Sequence, residues 1–291
     1  MKTLKLGLAL GAGGTKGAAH VGVMQVLNEA GIDVDVIAGT SIGSLYGGLV
    51  AVGRSPQEIA YGIRHNPKRE VVAFFRRRLK IRDDNRLARR FYEALAGYQI
   101  EDLAIRYAAT ASDIVERRPV IISSGPIIDA IEASIAIPVI ARPVAHQGRF
   151  LLDGGFWDAA PVDAATELGA DVIVAVELGH PYTLPQRLRE PATWLATRLE
   201  RVPLHRTIAG VPFSIHAAAS ELRIGRTAQV VLRPATGGLG NSMLGMSRCL
   251  DAGIEAAHDA LPAILALLAG EAPRAVAAEY APGAQLRPGL A

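Results

Sequence analysis

Short apolar runs alternate with longer amphipathic patterns along much of the chain. The runs at 4–10, 34–38 and 172–176 predict buried strands, and the last of them is apolar at every position. A helical pattern over 17–30 follows the first run, and Gly31 suits the end of that helix. This order of strand, loop, helix and strand predicts an α/β fold in which helices cover a parallel sheet.

Further elements extend this pattern towards the C-terminus. Strands are predicted at 105–111, 120–123, 150–152 and 229–233, and helices at 56–65, 68–80, 85–97, 125–134, 161–168 and 246–268. Pro262 is expected to kink or split the last helix, because its ring removes an N–H donor and crowds the preceding turn. Residues 185–222 are predicted to be mostly helical, with breaks near Pro203 and Pro212.

The length and composition are those of a globular protein. The chain has 291 residues, of which 50% are hydrophobic and 5% aromatic, so a sizeable core can form. We expect a single α/β domain over 1–270, with a helical insertion at about 54–118 and a loose tail over 271–291. No apolar run has membrane-spanning length, and the apolar start is interpreted as a first strand rather than a signal peptide.

Charge and cysteine content narrow the class of protein. The net charge is +3, which is too mild to argue for nucleic acid binding. Cys249 is the only cysteine, which excludes an internal disulfide and suits a reducing compartment. The residues around Cys249 lack the spacing of a metal or nucleophile motif, so we expect it to be a thiol in the core. We expect the protein itself to be soluble and cytoplasmic. The sequence carries no signal for oligomeric state.

One motif stands between a predicted strand and a predicted helix. Gly39-Thr40-Ser41-Ile42-Gly43 has the pattern G-x-S-x-G, in the setting that a nucleophile elbow requires. The turn is so tight that the residues two before and two after the serine come close, and only glycine avoids a clash there. Ser41 is predicted to have a strained backbone and an exposed Oγ, at a helix start that favours negative charge. An ordinary glycine-rich turn is the alternative.

A second glycine-rich stretch, residues 11–17, opens the first predicted helix. Its backbone can turn N–H groups inward, which makes it the candidate oxyanion hole. A dinucleotide-binding fingerprint would need glycine at Lys16, and a phosphate-binding P-loop would need glycine at Thr15. A cation in the first turn of a helix is unfavourable, so Lys16 is expected to have a carboxylate or phosphate partner. That partner could be structural or part of the site.

Asp153-Gly154-Gly155 follows the predicted strand at 150–152 and, taken alone, indicates no more than a turn. In their order, the three motifs resemble those of the patatin-like phospholipase family, specifically its bacterial members. The resemblance covers residues 4–180 and includes His20-Val21-Gly22. The sequence departs from the family pattern at Ala12, where a third glycine is usual, and at Lys16, where arginine is commoner.

The resemblance implies a three-layer α/β/α sandwich with a mainly parallel sheet. It implies that Ser41 is the nucleophile and Asp153 the general base of an acyl hydrolase that needs no metal or cofactor. The implied substrates are fatty-acyl esters of phospholipids or lysophospholipids. The backbone N–H groups assigned to the oxyanion hole are those of Gly13, Gly14 and Thr15. The residues that support the motifs are Lys16, Gly17, Gly39, Gly43, Gly154 and Gly155.

Other functions remain open on the sequence alone. A Ser-His-Asp triad would draw its base from a histidine after Asp153, and none of the four stands in a recognisable catalytic context: His180, His205, His216 and His258. His20 is expected to be packed and hydrogen-bonded. A lipid-binding or regulatory protein with little turnover is the alternative of a different class, and an acyltransferase differs only in its acceptor.

The segment 64–90 is rich in arginine and lysine. Phe74-Phe75 stands next to Arg76-Arg77-Arg78, and this combination of apolar and cationic residues fits the surface of an anionic membrane. Peripheral contact with the inner face of a membrane is therefore one interpretation. A set of solvated helix faces is the other.

Overall fold

The computed structural model describes residues 4–66, 93–137, 141–179, 223–237 and 245–271. Within them, eight strands form one sheet: β1 (Leu6–Leu10), β2 (Val36–Thr40), β3 (Arg106–Asp113), β4 (Arg118–Ile122), β5 (Val144–His146), β6 (Arg149–Asp153), β7 (Val172–Val176) and β8 (Val230–Leu232). The helices are α1 (Ala18–Glu29), α2 (Ile42–Ala51), α3 (Pro56–His65), α4 (Ile127–Ser134), α5 (Val162–Glu167) and α6 (Met246–Leu268).

The centre of the sheet is parallel, and one side of it is antiparallel. β1 pairs in parallel with β2 and β7, β2 with β3, and β7 with β8. β3 pairs antiparallel with both β4 and β6, and β6 pairs antiparallel with β5. The predicted α/β fold with a mainly parallel sheet is thus confirmed. The short strand β5 was not predicted, because its three residues, two half-buried and one exposed, form no apolar run.

The long strand β3 joins the two parts of the sheet. Thr110 faces Thr40, the last residue of β2, and the next residue, Ala111, faces Asp153, the last residue of β6. Both Thr110 and Ala111 also pair with β4, so β4 occupies one edge of β3, and β2 and β6 share the other. β2 and β6 therefore run towards each other along this edge and meet end to end at the carboxyl end of β2.

The core follows from the apolar runs. Every residue of β1, β2 and β7 is buried, which explains why these strands could be predicted from unbroken hydrophobic sequence. Helix α6 packs against α1 through Gly22 and Gly253, where a Cβ on either would overlap the backbone of the other helix. The sequence predicted that Pro262 would kink or split α6, but the helix continues unsplit from Met246 to Leu268. Pro262 is exposed, and the buried face of the helix continues past it.

Several predicted elements lie wholly or partly outside the described residues. These are the helices at 68–80 and 85–97, the mostly helical segment at 185–222 and the tail at 271–291. Helix α3 has the predicted bounds and begins with a capping box at Ser55. Because β3 belongs to the central sheet, residues 106–113 are not part of a helical insertion, and the rest of the insertion expected at about 54–118 stays a prediction.

Candidate active site

Ser41 occupies the sharp turn between β2 and α2. Its backbone has φ 55° and ψ −122°, a strained conformation for a residue with a side chain. A Cβ on Gly39 would overlap the backbone of Ser44, and one on Gly43 would overlap the carbonyl of Leu10 in β1. The glycines at both flanks are therefore required by close backbone approach, as the spacing predicted. The expectation of an exposed Oγ needs correction, because Ser41 is only 7% exposed.

The hydroxyl of Ser41 is paired with the carboxylate of Asp153. Ser41 Oγ donates to Asp153 Oδ2 at 2.5 Å, and the N–H of Gly155 donates to Asp153 Oδ1 at 2.8 Å. Asp153 is buried at the end of β6, directly before the turn that its two glycines form. The sheet register explains the contact, because β2 and β6 deliver the two residues to the same point on β3.

Burial makes Asp153 a stronger base than an aspartate in water. Burial raises the pKa of Asp153 to about 6, while the hydrogen bonds from Ser41 and Gly155 oppose this rise. Near neutral pH the carboxylate is still ionised, yet its proton affinity exceeds that of a solvated carboxylate. These are the properties that a general base for a serine hydroxyl needs.

Ser134, the last residue of α4, holds the backbone of the elbow. The N–H of Ser41 donates to Ser134 Oγ at 2.8 Å, and Ser134 Oγ donates in turn to the carbonyl of Thr110 at 2.7 Å. This buried hydroxyl thus links Ser41 to β3 beside the junction with β6. The sequence analysis did not identify Ser134. A serine at the end of an apolar helix carries no signal of its own, and its partner is 93 residues away.

The glycine-rich loop lies against the start of α2. A Cβ on Gly17 would overlap the side chain of Ile42, the residue after the serine. The N–H groups of Gly11 and Ala12 are used to anchor the loop, because they donate to the carbonyls of Val176 and Ala159 at 3.0 and 2.7 Å.

The next two residues of the loop have unpaired donors. Within the described residues, the N–H groups of Gly13 and Gly14 have no backbone or side-chain acceptor. Gly14 has φ 58°, and the following residues form a single turn of 3₁₀ helix over Gly14–Gly17. The loop therefore offers two neighbouring donors beside the elbow.

Comparison with known proteins agrees with this arrangement. The family model for patatin-like phospholipases matches residues 8–166, which include the glycine-rich loop, the elbow and Asp153. The chain belongs to the patatin-like phospholipase family. The three motifs that carried the resemblance are thus those of a true member.

Similar proteins include both prokaryotic and fungal relatives. An uncharacterized NTE family protein of Mycobacterium tuberculosis is 37% identical over 203 residues, which cover 66% of this chain and 54% of the relative. Lysophospholipase nte1 of Aspergillus fumigatus is 36% identical over 181 residues, which cover 60% of this chain and 12% of that protein. The chain thus spans about half the length of the first relative and far less of the second.

A solved structure supports the patatin-like fold. VipD from Legionella pneumophila superimposes with a TM-score of 0.51 and 14% sequence identity, over 90% of this chain and 67% of that chain. At this identity the likeness concerns the fold alone.

His20 holds the glycine-rich loop of this patatin-like chain by a hydrogen bond to the backbone of Gly11. Its Nε2–H donates to the carbonyl of Gly11 at 2.7 Å, which assigns the tautomer by the acceptor. Burial lowers the pKa of His20 to about 4, and the bond to Gly11 only partly offsets this effect. His20 is therefore a neutral, buried residue, as expected, and it does not contact Ser41.

The remaining candidates differ in where they lie. His258 is exposed on α6, whereas His180, His205 and His216 fall outside the described residues. In the part of the chain that the structure describes, no carboxylate forms an ion pair with Lys16, although its charge acts on the thiol of Cys249, whose pKa is raised by burial and lowered in part by Lys16. The expected carboxylate or phosphate partner of Lys16 therefore stays a prediction.

Among the described residues, no three histidine, cysteine or acidic side chains come together as metal ligands would. No helix in the described ranges combines the length and apolarity needed to cross a bilayer.

Proposed function

We propose that this protein is a serine acyl hydrolase that cleaves fatty-acyl esters of phospholipids or lysophospholipids. The observation that carries the proposal is the hydrogen bond from Ser41 Oγ to the buried carboxylate of Asp153 at 2.5 Å. A hydroxyl so placed, on a strained turn at the start of a helix, has a base within reach before substrate arrives.

The first half of the reaction acylates the serine. Asp153 takes the hydroxyl proton while Ser41 Oγ forms a bond to the ester carbonyl carbon. The carbonyl oxygen becomes an oxyanion that accepts hydrogen bonds from the N–H groups of Gly13 and Gly14, and Thr15 N–H is the third candidate donor. The tetrahedral species then collapses, the carbon–oxygen bond to the alcohol breaks, and the departing oxygen takes the proton from Asp153.

The second half reverses these steps with water as the nucleophile. Asp153 removes a proton from water, the new hydroxyl attacks the acyl carbonyl, and the proton returns to Ser41 Oγ as the fatty acid leaves. The same carboxylate thus serves as base and acid in turn. The pKa of about 6 suits both roles near neutral pH, since it lies close to the pH of operation.

The choice of lipid esters rests on the family and its members. The family is described as patatin-like phospholipase, and a relative from Aspergillus fumigatus is named as a lysophospholipase. Two apolar side chains pack against the glycine-rich loop: Leu178 lies against Gly13, and Ile42 lies against Gly17. This environment suits an acyl chain better than a polar group.

One labelling experiment tests the nucleophile. A fluorophosphonate should modify the purified protein at Ser41, as located by mass spectrometry, and should abolish release of fatty acid from a lysophospholipid. Ser41→Ala should fold, escape labelling and lose nearly all turnover, whereas Ser55→Ala, at the cap of α3, should keep both. Near wild-type turnover by folded Ser41→Ala would refute the assignment. Labelling of Ser41 without release of fatty acid would favour a binding protein.

A further inference from the structure

A pair of hairpins extends past the candidate active site on one side. β3 continues three residues beyond Thr110, the residue that faces the end of β2, and β6 accompanies it in the opposite direction. At about 3.3 Å per residue, the strands rise about 10 Å above the level of the elbow before they turn. The two turns, at 114–117 and 147–148, thus stand beyond the carboxyl edge of the parallel strands.

The upper end of these hairpins exposes large apolar side chains. Val115 is 72% exposed, Phe150 53% and Ile114 37%. They belong to one surface, because the N–H of Ile114 donates to the carbonyl of Phe150 at 3.1 Å. We call the surface formed by 114–118 and 147–150 the hairpin tip. Single exposed apolar residues are common on proteins, but three side by side at a projecting turn indicate a contact surface.

The turn that presents these residues is well ordered by its own hydrogen bonds. Asp113 Oδ1 accepts the N–H groups of Val115 and Glu116 at 2.8 and 2.9 Å, and the carbonyl of Asp113 accepts the N–H of Arg117 at 3.0 Å. Asp113 is itself buried. The apolar residues are therefore held outward by a closed turn.

The hairpin tip is also cationic. Arg118 and Arg149 pair with Glu116 at 2.6 and 3.9 Å, and Arg149 lies 4.0 Å from Asp113. Arg117 forms no ion pair with any described residue. It has φ 56°, a left-handed conformation in which glycine or asparagine would be less strained. Arg117, which has no ion-pair partner among the described residues, thus occupies a left-handed position where glycine or asparagine is the preferred residue.

We propose that the hairpin tip docks on the anionic surface of the lipid bilayer that holds the substrate. Val115, Phe150 and Ile114 insert between lipid head groups, and Arg117 neutralises acidic phosphates beside them. The position of the tip decides between a bilayer and other occupants. It projects on the side of the sheet where Ser41 and Asp153 lie, so docking turns the dyad towards the lipid. This inference rests on the proposed function for the identity of the substrate.

Binding can be measured without turnover, which separates the two proposals. The full-length chain carrying Ser41→Ala is sedimented with vesicles of phosphatidylcholine, with and without phosphatidylglycerol. In that background, Val115→Ser with Phe150→Ser removes the apolar contacts. Arg117→Gly removes the charge and relieves the left-handed strain, so a weaker binder cannot be explained by a weaker fold.

Leu265→Ser is the matched control, since Leu265 is 47% exposed. Leu265 is far from the glycine-rich loop, because it lies about 24 Å along α6 from Cys249, whose thiol senses the charge of Lys16 in that loop.

The parent should bind the anionic vesicles more strongly than the neutral ones. The double serine variant should lose more than about tenfold in partition to the anionic vesicles, and Arg117→Gly about fivefold with a smaller dependence on salt. Leu265→Ser should bind as the parent does. In the active enzyme, the double variant should keep hydrolysis of a soluble short-chain ester and lose turnover of vesicle lipid.

Two results would overturn the docking proposal. Binding of the double variant equal to that of the parent would assign membrane contact to another segment, for which Phe74-Phe75 and the following arginines are the candidates. Absence of vesicle binding by the parent would leave the hairpin tip as a surface for a protein partner. Vesicle binding that needs the hairpin tip, in a protein without lipid turnover, would uphold docking and refute the proposed hydrolysis.

Discussion

Thr40 and Asp153 are the last residues of two strands that meet against one edge of β3. They face consecutive residues, Thr110 and Ala111, although 112 positions separate Ser41 from Asp153 along the chain. The parallel part of the sheet thus supplies the serine, and the antiparallel part supplies the carboxylate. The hydrogen bond between them follows from the register of the sheet.

Asp153→Asn should give a more stable protein that is inactive. The pKa of Asp153 is raised by burial, so its favourable contribution to stability is complete below pH 3.8 and is lost as the pH rises to about 6. At pH 8 the ionised carboxylate therefore lowers the free energy of unfolding by about 3 kcal/mol. Asparagine carries no charge, and it can still accept from Gly155 N–H and donate to Ser41 Oγ.

Chemical denaturation and ester turnover at pH 8 test whether Asp153→Asn gains stability and loses activity. The midpoint of unfolding should rise for Asp153→Asn, and turnover should fall to about that of Ser41→Ala. Substantial turnover by the folded asparagine variant would show that another group is the base. An unchanged midpoint would mean that the ionised carboxylate is not destabilising.

The pH profile of kcat/KM on a soluble ester should show an acid limb near pH 6. Activity falls below this value because Asp153 becomes protonated and can no longer accept the proton of Ser41. Asp158 is a second buried carboxyl, whose pKa burial raises to about 7. Asp158→Asn should leave the limb in place, and its disappearance in that variant would assign the limb to Asp158.

A histidine base would change this profile in another way. Replacement of each candidate by glutamine should keep most activity and the same acid limb: His180, His205, His216 and His258. One folded, inactive histidine variant would replace the dyad with a triad, because the members of a triad act as a unit.

Ser134→Ala should lower kcat more than it changes KM. The alanine leaves the N–H of Ser41 and the carbonyl of Thr110 unpaired in a buried place, which costs stability by about 1–3 kcal/mol and loosens the elbow. We expect kcat and the rate of fluorophosphonate labelling to fall on the order of 10–100-fold. Ser112→Ala is the matched control, since Ser112 is equally buried and its hydroxyl donates a long hydrogen bond, of 3.3 Å, to the carbonyl of Gly154. Equal losses in both variants would indicate a general packing effect.

Gly14→Ala should impair turnover beyond its effect on stability. Gly14 has φ 58° and Gly31 has φ 67°, so alanine at either position brings similar backbone strain of roughly 1–2 kcal/mol. Gly31 caps α1, and nothing lies within 4 Å of a Cβ there. Both variants should lose similar stability in thermal unfolding, and only Gly14→Ala should lose kcat, on the order of 10². Equal activities would show that turnover does not depend on the conformation in which Gly14 presents its N–H group.

The parallel centre of the fold could be predicted because its strands are unbroken apolar runs. β7 was predicted with its observed bounds, since Val172 to Val176 are buried on both faces. The antiparallel side was harder, because β5 is short and half-buried and pairs through the turn at Gln147 and Gly148. No local pattern shows that β6 meets β2 end to end.

The site was predictable wherever a tight turn demands glycine. Such a turn places Ser41 in a motif that is visible in the sequence, whereas Asp153 was identified only through the family resemblance, because Asp153-Gly154-Gly155 alone indicates no more than a turn. Ser134 was not predictable, because its role depends on a hydrogen bond across the fold to Ser41. The hairpin tip was missed for a similar reason, since the exposure of Val115 and Phe150 is set by how far β3 and β6 extend past β2.

β2 and β6 share one edge of β3, and this arrangement determines when enzymatic activity appears as the chain folds. A growing chain exposes Ser41 and its glycine-rich loop long before Asp153 has been made, and the parallel strands β1 to β3 can associate without β6. Contacts between residues so distant in sequence form late, because a long loop must close first. The newly made protein therefore carries Ser41 without its hydrogen-bond partner Asp153 until β6 adds to β3. Recovery of esterase activity during refolding should follow the pairing of β6 with β3, even where the core has already collapsed.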